Sequence, residues 1–332
     1  MRVSYNEMKS ELERVLIKYG ITGNDAMLSA KLFADASLKG VYTHGLNRFP
    51  KFIASIENGS VDITKRAILV ESFGSLERWD GQQGPGNLNA WMCTERAIEL
   101  AKKQVFGVVA LKNTNHWMCP GNYGHLACEH DCISMMWTNT IPNMPAWGSC
   151  EAKLGNNPLV VSIPAKGGDV ILDIAMSMFS YGKLEKYKRE GVMCPVDGGF
   201  DRDGNITRDP AKILETHQVL PIGFWKGSGL SLVLDLLAAV LSGGLTTREV
   251  GLQSTETLIS QCFIAINLSA FPDRTELEKK IEATLKDVID SKPLKDGMRV
   301  HYPGQGMKRT REENLEMGIL VDEQIWKWVL EQ

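Results

Sequence analysis

The spacing of apolar residues changes character once along this chain, near residue 65, and that change restricts the fold more than any single motif. Upstream of it the period is helical. Ser4 and Glu7 have capping-box spacing, and Met8, Leu12, Val15, Leu16 and Tyr19 follow on one face, so a helix runs to about Gly20. A second helix carries Leu28, Leu32, Phe33 and Ala36, capped between Thr22 and Asp25 and stopped at Gly40. A third runs from about Asn47 to Asn58, with Pro50 tolerated in its first turn and Gly59 as its stop.

Downstream the pattern is mixed. AILVESF and ERWDG read as strands, and Gly84, Pro85 and Gly86 make a turn. A helix over about Asn87–Gln104 leads into the buried strand GVVALKN. After the loop NTNHWMCPGNYG come a short helix, about Tyr123–Cys132, and a strand, Ile133–Trp137. LVVSIP and VILDIAM read as a strand pair, Tyr181–Arg189 as a helix, and the Gly-, Asp- and Pro-rich stretch from Gly191 to Pro210 as a long loop. WKGSGLSLVLDLLAAVLSGG is the strongest helix of the chain. QCFIAINL is a strand, Asp273–Ser291 a helix, MRVHYPGQG a strand end with a turn, and Lys308–Met317 and Asp322–Leu330 two final helices. Strands and helices mixed without strict alternation predict an α+β fold rather than a doubly wound sheet.

At 332 residues the chain is long enough for about two domains with a sizeable core. A net charge of -3 gives no electrostatic footprint for nucleic acid or an anionic membrane. No apolar run approaches membrane-spanning length, and the polar, amphipathic start is not a secretory signal. Seven irregularly spaced cysteines, an odd number, point to reduced thiols in a cytoplasm. These features leave a small molecule as the expected partner.

The stretch VYTHGLNRFP holds the most usable chemistry. His44 and Arg48 lie four residues apart, so one helical turn would set both on one face. An imidazole exchanges protons near neutral pH, and a guanidinium holds a carboxylate through two parallel hydrogen bonds. Together they suit an acid whose neighbouring carbonyl is reduced or whose hydroxyl is oxidised. A surface His and Arg flanking a turn at Gly45 would have the same spacing. His116, in NTNHW just after a buried strand, is a second candidate for proton transfer or substrate orientation, or a His held by neighbouring Asn side chains.

Other motifs carry less. The dinucleotide fingerprint G-x-G-x-x-G is absent between any strand and helix; Gly227-Ser-Gly229 comes nearest, and its sixth position is Leu232. With Lys226 it could form an anion site at a helix N-terminus, or simply a tight helix entry. Cys119, His125, Cys128, His130 and Cys132 lack any C-x2-C pair and do not read as a zinc site. Asp173 follows an apolar run and would contact a ribose, fix a His or cap a turn. DRDGN lacks the glutamate of a calcium loop, since Pro210 occupies that place. His217 and His301 have no partners nearby in sequence and read as structural.

Taken together, VYTHGLNRFP, NHWMCPGNYG, LGNNPLVVSIP, LDIAMSMFSYGK, and PVDGGFDRDG followed by WKGSGLSLVLDLLAAVLSGG resemble the type 2 malate/L-lactate dehydrogenases over essentially the full length. The resemblance implies a non-Rossmann fold. A small helical domain is built from both chain ends, 1–65 with 305–332, and a larger α/β domain spans 66–304. It implies a nicotinamide cofactor, NADH or NADPH, in a cleft near a homodimer interface. The cofactor-contacting segments map onto Gly168, Asp169, Val170, Ile171, Leu172, Asp173 and Ile174, onto Phe224 and Trp225, and onto Gly304, Gln305 and Gly306. His44 matches the family's proton donor, and Arg48 and His116 its substrate-side pocket. Thr43 stands where Ser is common, Asn156 replaces the usual Thr of a GTNP phrase, and Gly306 replaces a frequent acid.

The expected activity is therefore cytoplasmic reduction of a 2-keto acid, with a sugar acid as the leading substrate. Malate, lactate, sulfolactate, ureidoglycolate and cyclic imino acids suit the same His and Arg. A non-catalytic sugar-acid or nucleotide-phosphate binding protein, using the Gly227 helix, is the reading from another class.

Overall fold

The computed structural model of the chain describes residues 1–253 and 255–332. A seven-stranded sheet organises it. The strands are β1 (Ile68–Phe73), β2 (Leu76–Asp80), β3 (Phe106–Thr114), β4 (Cys132–Thr138), β5 (Leu159–Ile163), β6 (Val170–Ile174) and β7 (Ile259–Asn267), in the order β1-β2-β3-β7-β4-β5-β6. Only β2 and β3 pair in parallel, because α4 (Gly86–Gln104) crosses between them; the other neighbours are antiparallel. This is the mixed α+β arrangement that the sequence pattern predicts.

The central strands are apolar on both faces because both faces are covered. Val109, Leu111, Met136, Phe263 and Ala265 pack with Ala90, Cys93, Ala97 and Leu100 of α4 and with Leu126 of α5 (Gly121–Glu129). The alternate residues Val108, Trp137 and Cys262 turn the other way, onto Leu234 and Ala238 of α7 (Trp225–Ser242). Helix α6 is Tyr181–Glu190.

A second cluster joins the chain ends. Met8, Leu12 and Leu16 of α1 (Tyr5–Lys18), Phe33 of α2 (Gly23–Leu38), and Phe49 and Phe52 of α3 (Phe49–Glu57) pack with Ile319, Trp326 and Val329 near the C-terminus. Arg2–Val3 pairs with Ile319–Leu320, and the N-terminal amine meets Glu323 at 2.9 Å. The C-terminal helices, after α8 (Arg274–Ile289), are α9 (Gln305–Met317) and α10 (Glu323–Glu331).

Several boundaries differ from the sequence expectation for physical reasons. The His44 stretch is not one helical turn but two 3-10 turns, Tyr42–His44 and Leu46–Arg48, joined at Gly45. A Cβ on Gly45 would stand 2.2 Å from the Ser37 hydroxyl, so the chain presses onto α2 there, and the Leu46 N–H donates to that hydroxyl at 2.8 Å. The long loop holds a small ladder, Gly199–Phe200 with Ile206–Thr207. Its turn is tied by Asp201, whose carboxylate accepts from the Asp203 and Asn205 N–H groups. MRVHYPGQG forms no strand; α9 starts at Gln305, on a left-handed Gly304 with φ 97°. Finally, α7, at 18 residues and mean hydropathy 1.3, is long and apolar enough to cross a membrane, contrary to the sequence reading. One of its faces is spent on the sheet, where Asp235 accepts from the Asn139 side-chain amide and the Thr247 N–H.

Candidate active site

Two segments distant in sequence bring His44 and Arg48 together with His116. The two imidazoles stack, with ring centroids 5.8 Å apart and planes inclined by 15°. The Thr43 hydroxyl lies 3.2 Å from His44 Nδ1. The Met118 N–H donates to His116 Nδ1 at 3.0 Å, which leaves the proton of a neutral His116 on Nε2, facing away from its own loop.

The electrostatics favour neutral rings. Burial first, then the Arg48 charge, lowers His44 from 6.5 to about 4. Burial, and the charges of Arg48, His44 and Lys51, hold His116 well below its ordinary value. Burial also lowers Arg48, partly opposed by the Glu256 carboxylate. Among the described residues Arg48 has no ion-pair partner. Arg48 thus stands beside two neutral imidazoles without a direct ion pair, with the Glu256 carboxylate acting on it from farther off.

Contacts close around these side chains as a ring. A Cβ on Gly182, in the first turn of α6, would come within 3.1 Å of the Thr43 methyl group. The neighbouring Tyr181 hydroxyl donates to the Asn143 carbonyl at 2.6 Å. In the same loop the Ile141 N–H reaches Glu256 Oε1 at 3.5 Å. The Thr257 hydroxyl donates to Asn115 Oδ1 at 2.9 Å, beside His116. Sequence reasoning missed Glu256 and Thr257. They lie on an irregular stretch before β7 that carries no motif; the fold brings the Glu256 charge within reach of Arg48 and sets Thr257 against Asn115. Two surface grooves, of about 520 and 340 Å³, lie elsewhere, against His217 and against Trp79.

A second region lies beyond the His116 loop. Asp173, at the end of β6, accepts from the Gly121 N–H at 3.0 Å, and burial raises its carboxyl to about 6. The turn before β6 and the entry to α9 are bound together. The Ile171 N–H donates to the Pro303 carbonyl at 3.0 Å, the Tyr302 hydroxyl to the Gly168 carbonyl at 3.1 Å, and the Lys308 ammonium to the Gly167 carbonyl at 3.2 Å. A Cβ on Gly304 would stand 2.9 Å from both the Asp169 carbonyl oxygen and the Ile171 nitrogen, so only glycine lets the segments approach. Gly306, by contrast, faces open space. Segments 168–174 and 304–306 therefore form one surface. Phe224 and Trp225 open α7, where the Phe224 ring meets Trp147 in a tilted contact, centroids 5.1 Å apart; the backbone links Ile222 to Met176, just past β6.

Some expectations separate from the site. At the start of α7 the N–H groups of Lys226, Gly227 and Ser228 already donate to Gly223, Ile222 and Phe224 carbonyls, so the anion site read at Gly227 is a tight helix entry. A Cβ on Gly227 would collide with the Ile222 carbonyl at 2.3 Å. In the Cys/His cluster, His125 faces Asp169 at 3.5 Å and His130 faces Lys102 at 3.2 Å, while Cys119, Cys128 and Cys132 are buried. His217 meets the Tyr181 ring in a tilted contact, and His301 pairs with Gln305 at 3.1 Å.

Comparison with known proteins places this geometry. A profile described as malate/L-lactate dehydrogenase matches residues 3–330. The 2,3-diketo-L-gulonate reductase of Citrobacter koseri is 42% identical over 327 residues, 98% of each chain, and that of Escherichia coli K12 is 41% identical over the same span and coverage. Among solved structures, malate dehydrogenase from Entamoeba histolytica superposes with a TM-score of 0.94 at 26% identity, covering 100% of this chain and 96% of the other. Sulfolactate dehydrogenase from Methanocaldococcus jannaschii gives 0.89 at 30% identity, with 100% and 96% coverage. On sequence and on fold alike, this chain belongs to the malate/L-lactate dehydrogenase family and is an oxidoreductase of keto and hydroxy acids.

Proposed function

We propose that this chain reduces 2,3-diketo-L-gulonate to 3-dehydro-L-gulonate, with His44 as proton donor. The observation that carries the reading is a half-buried Arg48 without an ion-pair partner among the described residues, beside two neutral stacked histidines. The names of the most similar relatives supply the sugar acid. Arg48 takes the substrate carboxylate through two hydrogen bonds and fixes the neighbouring C2 carbonyl against the imidazoles. His116, neutral, donates its Nε2–H toward the carbonyl oxygen. His44 delivers a proton to the same oxygen as charge develops there. The resting His44 is neutral, so it takes its proton from solvent as the substrate binds. A carboxylate on Arg48 cancels one of the two causes that hold the imidazole low.

The nicotinamide cofactor supplies the hydride, as NADH or alternatively NADPH. Gly168–Ile174, Phe224, Trp225 and Gly304–Gly306 would hold it, in keeping with a surface on which Gly304 draws the two segments together and Gly306 faces open space. The reading includes a homodimer. Leu232, Val233, Leu236, Leu237 and Val240 of α7 are all exposed, and an apolar helix face of that extent asks for a second protein surface. It includes a division of the chain into a helical unit, 1–65 with 305–332, and an α/β unit, 66–304, and a cytoplasmic location suited to seven unpaired thiols.

Oxidation of NADH and of NADPH by the purified protein, with 2,3-diketo-L-gulonate, oxaloacetate, pyruvate, sulfopyruvate and a cyclic imino acid, tests the reading. Turnover that favours diketogulonate at least tenfold in kcat/KM supports it. Preference for another acid keeps the mechanism and changes the substrate. Absence of turnover with both cofactors refutes it.

A further inference from the structure

We propose that Glu256 selects polyhydroxy acids, its carboxylate accepting hydrogen bonds from substrate hydroxyl groups while Arg48 holds the substrate carboxylate. The inference rests on the reading of Arg48 as the carboxylate anchor. Glu256 belongs to the ring of contacts around His44 and His116. Thr257 ties its segment to Asn115 at 2.9 Å, and Ile141 offers its carboxylate one N–H at 3.5 Å. The Asn115 side chain is itself held by the carbonyls of Gln83 and Gly84, at 2.8 and 3.1 Å, so the clasp is fixed on both sides. A carboxylate offers about four acceptor positions. One long contact leaves most of them open to other donors, and the half-buried position keeps them within reach of a ligand.

The charges sharpen the argument. Glu256 acts on Arg48 across the site without pairing with it in a salt bridge. A second anion beside an anion-binding guanidinium weakens binding of every simple acid, whose carboxylate it repels. The arrangement favours binding only for a ligand that brings hydrogen-bond donors along with its carboxylate. A chain of hydroxyl-bearing carbons does so; lactate and pyruvate lack it. Glu256 is thus a specificity residue for sugar acids over short acids.

The test compares wild type, Glu256→Gln and Glu256→Ala on 2,3-diketo-L-gulonate and on pyruvate, with equilibrium binding of L-gulonate and L-lactate as a second readout. Glu256→Ala should raise KM for diketogulonate about tenfold or more, in line with loss of a charged hydrogen bond, with kcat changed less than about twofold. The same change should lower KM for pyruvate, because a repelling charge is gone, and Glu256→Gln should fall between. Parallel losses on both acids, or no change on either, would overturn the proposal. Thermal midpoints within about two degrees of wild type exclude misfolding as the cause. Should the wild type oxidise NADH with neither acid, the proposed function fails, and binding still decides this inference. Tighter L-gulonate than L-lactate binding that Glu256→Ala reverses supports it, and equal binding by wild type refutes it.

Discussion

The resting protonation of His44 makes the most discriminating prediction. Burial and the Arg48 charge hold its imidazole at about 4. At pH 7 only about one molecule in a thousand then carries the catalytic proton, equivalent to about 4 kcal/mol of protonation cost. Reduction consumes a proton, and kcat/KM reports the free enzyme. For the wild type, kcat/KM for the keto acid should therefore fall about tenfold per pH unit between pH 5 and 8. The kcat profile should bend at a higher pH, because in the complex a substrate carboxylate neutralises Arg48. Initial rates of NADH oxidation at low and saturating keto acid give both profiles. Asp173, held near 6, can add an inflection that Asp173→Asn would remove without changing the slope. A kcat/KM that stays flat from pH 5 to 8 would refute His44 as an acid protonated from the neutral resting form.

The same shift predicts acid sensitivity of the fold. The folded His44 value lies below the ordinary 6.5, so its contribution is complete above pH 6.5 and is lost as pH falls toward 4, by at most about 3 kcal/mol. Urea unfolding at pH 7 and 4.5 should show a smaller pH difference for His44→Gln than for wild type. Arg48→Lys should raise KM about tenfold with a smaller change in kcat, because an ammonium lacks the planar fork; steady-state kinetics showing an unchanged KM would remove Arg48 from the carboxylate. Glu77, nearly fully buried, receives the Arg96 guanidinium at 2.7 and 2.9 Å and the Trp79 indole at 2.9 Å. Glu77→Gln should then cost about 2 kcal/mol in denaturant unfolding, in line with loss of charged hydrogen bonds while Arg96 keeps Glu99 as a second partner. Paired Leu236→Asp and Val240→Asp substitutions should convert a dimer to monomer in sedimentation, and a wild-type monomer would contradict the assigned role of the α7 face.

The sheet and most helices were legible because their apolar patterns stand out: the short unbroken apolar run CFIAI of β7 and the three-and-four spacing of α1 and α10. The His44 turn was less so. Its i, i+4 spacing suggested a helix, whereas close approach of Gly45 to Ser37 forces two short turns, and the side chains converge by tertiary packing. Gly227 left two readings open, since a glycine that admits a phosphate and one that admits a neighbouring carbonyl look alike in sequence, and the tight helix entry is the one found. The exposed apolar face of α7 read simply as helix strength, because burial within one chain and burial between chains leave the same pattern. Glu256 was invisible, since a single acid in an irregular segment carries no spacing that ties it to residues two hundred positions away.

Transfer of deuterium tests the central claim most directly. NADH deuterated at C4 of the nicotinamide, on each face in turn, is incubated with 2,3-diketo-L-gulonate and the purified protein, and the product is read by NMR. One face should deliver its label to C2, the carbon beside the carboxylate, and His44→Ala should slow the transfer at least about a hundredfold while still binding NADH. Label at C3, or a rate that His44→Ala leaves within tenfold, would contradict the assignment of Arg48 as anchor and His44 as acid.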